Sequence, residues 1–129
     1  MMTTRTAAPK VGKAIYELVN PIVRSYPIVA EKGADYPFAV YRRTSHNSSN
    51  TKDRYNYLVQ ISMEVVIVTQ KYDEGVALSQ QVWEALDKVG GIIAGVEIEE
   101  IRVTSSSEDF INDAYTQRLQ IEVDVTDIV

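Results

Sequence analysis

The sequence predicts an α+β fold: a mostly antiparallel sheet of about four to five strands, two helices packed on one face, and a long β-hairpin loop. Three observations lead there. Residues 11–22 and 73–89 space their apolar side chains as one face of a helix does. Residues 57–69, 96–104 and 115–126 either alternate apolar with polar residues or are apolar on both sides, as strands are. Residues 44–56 hold almost nothing apolar. With 129 residues, 45% of them hydrophobic, the chain reads as a single domain, 1–129. A domain of this size buries roughly two-thirds of its unfolded surface and needs no disulfide or metal to fold.

Taken in order, residues 1–9 are rich in Thr and Ala without periodicity and read as a loose arm that orders on contact. Val11, Ala14, Ile15, Leu18, Val19 and Ile22 then mark an amphipathic helix, which Pro21 ends near Asn20 because proline removes a helix hydrogen bond. Ile28-Val29 reads as a short strand, Lys32-Gly33-Ala34-Asp35 as a turn, and Pro37-Phe38-Ala39-Val40-Tyr41 as a strand that begins at a proline. Residues 44–56 form the polar hairpin tip, with Arg42, Arg43, Lys52 and Arg54 on its shoulders.

The strand at 57–69 turns Tyr57, Val59, Ile61, Met63, Val65 and Ile67 one way, and its second half is apolar on both faces. Such a strand is central and covered at that end on both sides. Asp73 is placed to cap the next helix, with Glu74 in its first turn; Val76, Ala77, Val82, Trp83, Leu86 and Val89 form its stripe and Gly90-Gly91 its stop. The last two strands, 96–104 and 115–126, are joined by a turn-rich region at Ser105-Ser106-Ser107-Glu108-Asp109. A right-handed crossover through the second helix sets the strand at 96–104 parallel to that at 57–69, and the last strand inserts between them, antiparallel to both.

Charge is divided unevenly. Residues 1–56 carry 9 Lys and Arg against 4 Asp and Glu, and residues 57–129 carry 4 against 14, which the net charge of -5 conceals. The acidic total argues against a general nucleic-acid binder, whose phosphate contacts need a concentrated basic surface. No apolar run approaches the ~18 residues of a membrane span, and Lys10, Lys13 and Glu17 interrupt any signal-peptide core, so the sequence predicts a protein without membrane contact.

Chemistry is sparse. His46 is the one histidine, set in the polar loop where no rigid element would orient it as a base. With no Cys and one His, only carboxylates could hold a metal, and none has calcium-loop spacing. Glu97, Glu99 and Glu100 alternate with Val96, Ile98 and Ile101 as a solvated strand face does, which is not the desolvated pair that glycoside hydrolysis needs. No enzyme, metal or cofactor is expected. Two features remain as candidate sites. One is the basic hairpin loop with Arg42, Arg43, Lys52 and Arg54, a contact for another subunit or a partner. The other is the open sheet face, where Glu64, Glu97, Glu99, Glu122 and Asp124 outnumber Arg118 and predict a negative surface.

The amphipathic first helix, the Pro37-Phe38-Ala39-Val40-Tyr41 strand, the long polar hairpin, the apolar strand, Tyr72-Asp73-Glu74-Gly75 opening a helix with Leu78, Val82 and Ala85-Leu86, and the alternating last strand resemble the tail completion, or tail terminator, proteins of long-tailed bacteriophages and prophages. The resemblance spans roughly residues 10–126. It implies a non-enzymatic subunit of a ring, usually hexameric, that caps the tail tube and joins the head connector. The implied partners are further copies of the chain, the tail-tube protein and a head-completion or connector protein, with DNA only as passing cargo. The implied location is the host cytoplasm during assembly and then the virion tail. The hairpin and the arm would make the contacts, and the acidic face would line the pore, where a negative wall lets DNA slide. The residues leave an alternative open: a small-molecule-binding or regulatory α+β module, monomeric or dimeric, with a pocket near Trp83 and Tyr72.

Overall fold

The structure, a computed structural model, describes the backbone of residues 10–49 and 56–128 and the side chains of 10–45 and 59–126. The expected arm at 1–9 and the tip of the hairpin, with Lys52 and Arg54, lie outside the described residues. The elements are α1 (Val11–Val19), β1 (Ser25–Pro27), β2 (Phe38–Ser49), β3 (Asn56–Thr69), α2 (Tyr72–Leu86), β4 (Gly91–Ile93), β5 (Val96–Ile111) and β6 (Ala114–Ile128). They build one six-stranded sheet in the order β1-β2-β3-β6-β5-β4.

That sheet corrects the expected four to five antiparallel strands. Among the described residues it has six, it is mixed because β1 runs parallel to β2, and it curls into a half-barrel in a protein that is 52% strand. The two strands that periodicity does not reveal, β1 and β4, are three residues each. So short a segment has no pattern of its own and becomes a strand only because a neighbour offers its backbone. β1 also sits one step earlier than expected: Ser25, Tyr26 and Pro27 pair with Ala39, Val40 and Tyr41, and Ile28-Val29 follow the strand.

β2 and β3 run further into the polar segment than its composition suggests. Ser45 to Ser49 pair with Ser62 to Leu58, because a ladder is made by backbone groups and a polar side chain does not prevent it. Likewise the Ser-rich stretch 105–109 is strand, paired with Gln120 to Thr116. The chain reverses instead at Asn112 and Asp113, whose φ of 53 and 61 are the left-handed values a two-residue hairpin demands and Asn and Asp tolerate.

The insertion expected from the crossover is present: β6 lies between β3 and β5 and is antiparallel to both. Val59, Ile61, Met63, Val65 and Ile67 of β3 stand beside Leu119, Ile121, Val123 and Val125 of β6, all buried under the helices. Helix α1 contributes Val11, Ala14, Ile15 and Val19 and stops as Pro21 requires. The carboxamide oxygen of its C-terminal Asn20 accepts from the Ser25 amide at 3.0 Å, which fixes the entry to β1.

Helix α2 begins after Lys71, so Asp73 is not its cap; Asp73 and Glu74 lie in the first turn, where negative charge favours the helix dipole. The helix also stops at Leu86, before Gly90-Gly91. Asp87 turns extended, and its carboxylate accepts from the Val103 amide at 3.0 Å. The chain then runs along β5, where Lys88 donates to the Ile101 carbonyl at 2.7 Å. Gly90-Gly91 therefore leads into a strand rather than ending a helix.

Candidate functional site

The sheet face away from the helices carries the charged residues. Glu64 of β3 is only 4% exposed, although it lies on this open face. Arg42 from β2 and Arg118 from β6 flank it, each 3.4 Å from its Oε2. Beside them Arg102 of β5 sits among Asp124 at 2.6 Å, Glu100 at 3.2 Å and Glu122 at 3.4 Å. Hydrogen bonding to Asp124, then to Glu100, outweighs burial and holds the Arg102 guanidinium above its ordinary pKa. A raised pKa means that the contribution of the Arg102 charge is present below its unfolded value and is lost only as pH rises through the folded one, so Arg102 stays charged across neutral pH.

The acidic residues expected on this face are thus brought together, but with three arginines threaded through them. Glu64, Glu122 and Asp124 are paired; Glu97 and Glu99 lie toward β4, Glu97 opposite Ile92 and Glu99 accepting from the Thr126 hydroxyl at 3.3 Å. Arg42 is a member of this ladder in β2 rather than of a loop, and Arg43 is exposed next to it. The pairing of Arg102 was missed because strict alternation from Val96 does not foresee the irregularity between Ile98 and Glu100. The signal was present: the apolar positions 96, 98, 101 and 103 step by two, three and two, and the step of three is the extra residue of a β-bulge. Arg102→Met should lower stability by about 1–2 kcal/mol at neutral pH. Urea unfolding at low and high salt tests this, with the smaller loss expected at high salt.

The sheet edges are different in character. On the helix side, Tyr72 packs on Tyr115 with ring centres 5.7 Å apart, and Phe110 on Tyr115 at 4.8 Å. The Tyr72 hydroxyl donates to the Glu108 carboxylate at 3.0 Å, which pushes the phenol pKa up, and Gln117 donates to the same carboxylate at 2.9 Å. These contacts hold the long β5–β6 hairpin against the start of α2. Between α2 and that hairpin runs an open groove of about 460 Å³, lined by Val76, Ser79, Gln80, Trp83, Gln117 and Leu119 among others. Val76 and Trp83 are 39% and 38% exposed there.

At the opposite edge, just past β1, Ile28 and Val29 are 73% and 72% exposed. Ile28 has φ +66, a left-handed value that a β-branched residue adopts only under strain, while its amide still donates to the Tyr41 carbonyl at 2.8 Å. The strand order also separates charge in space. α1, β1 and β2, with Lys10, Lys13, Arg24, Lys32, Arg42 and Arg43 against Glu17, Glu31 and Asp35, lie at one side; the acidic second half of the chain lies at the other.

Among the described residues no group of three or more His, Cys, Asp or Glu could hold a metal ion, and no helix is long and apolar enough to cross a membrane. The architecture is that of a two-helix α+β domain over a curled six-stranded sheet. No protein-family model matches the sequence, and no curated protein does. A solved structure does share the fold: a chain from the virion of a native gene transfer agent (GTA) particle, with a TM-score of 0.69 and 12% identity, over 93% of this chain and 98% of that one.

Proposed function

We propose that the chain is a structural subunit of a virion of the phage type and works without catalysis. Within that role it closes the tail tube as a ring, usually of six copies in the family it resembles, and joins the tube to the head connector. The observation that carries this reading is the end-to-end fold match to a virion chain, 93% of one and 98% of the other, with no large insertion needed on either side. The division of charge supports it. A ring is made of heterologous contacts, in which one patch meets a different patch on the neighbour, and a molecule basic at one sheet edge and acidic at the other supplies both.

The partners in this reading are further copies of the chain, a tail-tube protein and a head-completion or connector protein. DNA passes without specific contact. The pore lining falls to Glu97 and Glu99 more than to Glu122 and Asp124, which are tied to Arg102. Native mass spectrometry and electron microscopy of the concentrated protein, alone and with tail tubes, test the role. A closed ring of fixed copy number is expected, and a monomer under both conditions would overturn the reading.

Charge reversal is a second test. Lys32→Glu with Arg43→Glu places two acids where the basic edge faces an acidic neighbour, and leaves the Arg42–Glu64 pair intact. Assembly should weaken ~10-fold at low salt and recover in part at high salt, because exposed pairs are screened. An unchanged association constant by light scattering would count against a charge-guided contact.

A further inference from the structure

We propose that Ile28 and Val29 of one copy seat in the groove between α2 and the β5–β6 hairpin of a second copy. The inference rests on the subunit role above and names the surfaces that meet. Three independent features of the molecule lead to it.

The first is the strain at Ile28. Two adjacent branched aliphatics, both more than two-thirds exposed, are presented by a backbone conformation that costs free energy for a residue of this shape. Glycine at this position would relieve the strain and remove an exposed apolar side chain. The residue that is present does neither, which fits a projection that is covered in the assembled protein.

The second is the groove, which is apolar along Val76, Trp83 and Leu119 and polar through Ser79 and Gln80 of α2 and the buried Gln117 of β6. A tryptophan edge open to solvent within a groove is the kind of anchor that dominates protein interfaces. Above it, β5 from Thr104 to Ile111 is exposed and has β6 on one side only. A long strand edge of this sort is ordinarily covered or blunted in a finished assembly.

The third is charge. The projection lies beside Arg42 and Arg43, with Glu31 and Lys32 following it along the chain, whereas Glu84 lines the groove and Glu108 is bound to Gln117 and Tyr72 at its end. The two surfaces lie toward opposite edges of one sheet, so a copy can use both at once. That is the geometry of a head-to-tail contact.

The chain has no cysteine, so engineered thiols report on this contact alone. Val29→Cys and Gln80→Cys, mixed under a mild oxidant, should give a disulfide-linked dimer on a non-reducing gel. Lys13→Cys mixed with Gln80→Cys, a pair from an exposed face of α1, should not. The double variant Val29→Cys/Gln80→Cys should give a ladder that ends at the copy number of the ring. A second variant guards against misfolding: Ile28→Gly relieves the left-handed backbone, so it should fold with a higher Tm. In the Val29→Cys background it should nevertheless reduce cross-linking ~10-fold, because the anchoring side chain is gone.

A closed ring by native mass with cross-linking no greater than the Lys13 control overturns this contact and leaves the subunit role standing. Neither ring nor cross-link overturns both. A ladder that runs on without an end supports the contact and overturns the ring.

Discussion

Ile67→Ala should lower the unfolding free energy by about 2–5 kcal/mol, and Val66→Ala, its immediate neighbour in β3, by about 1 kcal/mol or less. The two residues point to opposite sides of the same sheet. Ile67 is fully buried under the helices, with Ala39 beside it in β2 and Gln117 in β6, so its truncation leaves a cavity that a close-packed interior fills only in part. Val66 pairs with Val40 and Arg118 on the open face and is half-buried beside Ile28. Urea titrations with unchanged m-values would measure the difference, and equal losses would mean that the open face is packed as tightly as the core.

Gly90→Ala is expected to cost about 1–3 kcal/mol through overpacking, and Gly12→Ala to be neutral or stabilising by about 0.5 kcal/mol. The contrast is set by what a methyl group would meet. At Gly90 a Cβ would lie 2.6 Å from the Glu99 carbonyl oxygen and 3.3 Å from that of Ile98. Both are backbone atoms in β5, and moving them disturbs the irregularity between Ile98 and Glu100 that turns Arg102 outward. At Gly12, inside α1, the nearest atom is a ring carbon of Tyr41 at an ordinary 3.5 Å, and alanine is the better helix former. Thermal unfolding separates the two, since 1 kcal/mol moves the Tm of a domain of this size by roughly 4 °C. Gly90→Ala should also weaken the Arg102 cluster. A double variant with Arg102→Met should then lose less than the sum of the single losses.

Function lies on the surface, where pattern reading is weakest. Arg42, Glu122 and Asp124 were legible as charged residues of exposed segments, yet which charge meets which depended on register. The resemblance to tail completion proteins pointed toward a virion, and the shared fold of a gene transfer agent virion chain agrees at the level of architecture. The sequence reads Ile28-Val29 as strand, but β1 ends at Pro27 and leaves the pair exposed. It also places a small-ligand pocket near Trp83 and Tyr72, where the structure has an open groove along Trp83, the surface we propose for a second copy.

What the sequence by itself determined was everything that repeats over many residues. The stripe from Val11 to Val19, the two-sided apolar run in β3 and the clean alternation of β6 each declare a face, and a crossover through α2 then leaves one place for β6, between β3 and β5. Tertiary structure alone decided what a single residue or a short segment can change. β1 and β4 exist because β2 and β5 offer them a backbone to pair with. One extra residue at Glu99 resets which side chains face outward, and the reversal at Asn112-Asp113 makes strand of a serine run that reads as turn. Periodicity is a sum over many weak local preferences and survives in the sequence. Pairing partner and register are set by the rest of the fold, and they placed the charges and the exposed apolar pair where another copy can meet them.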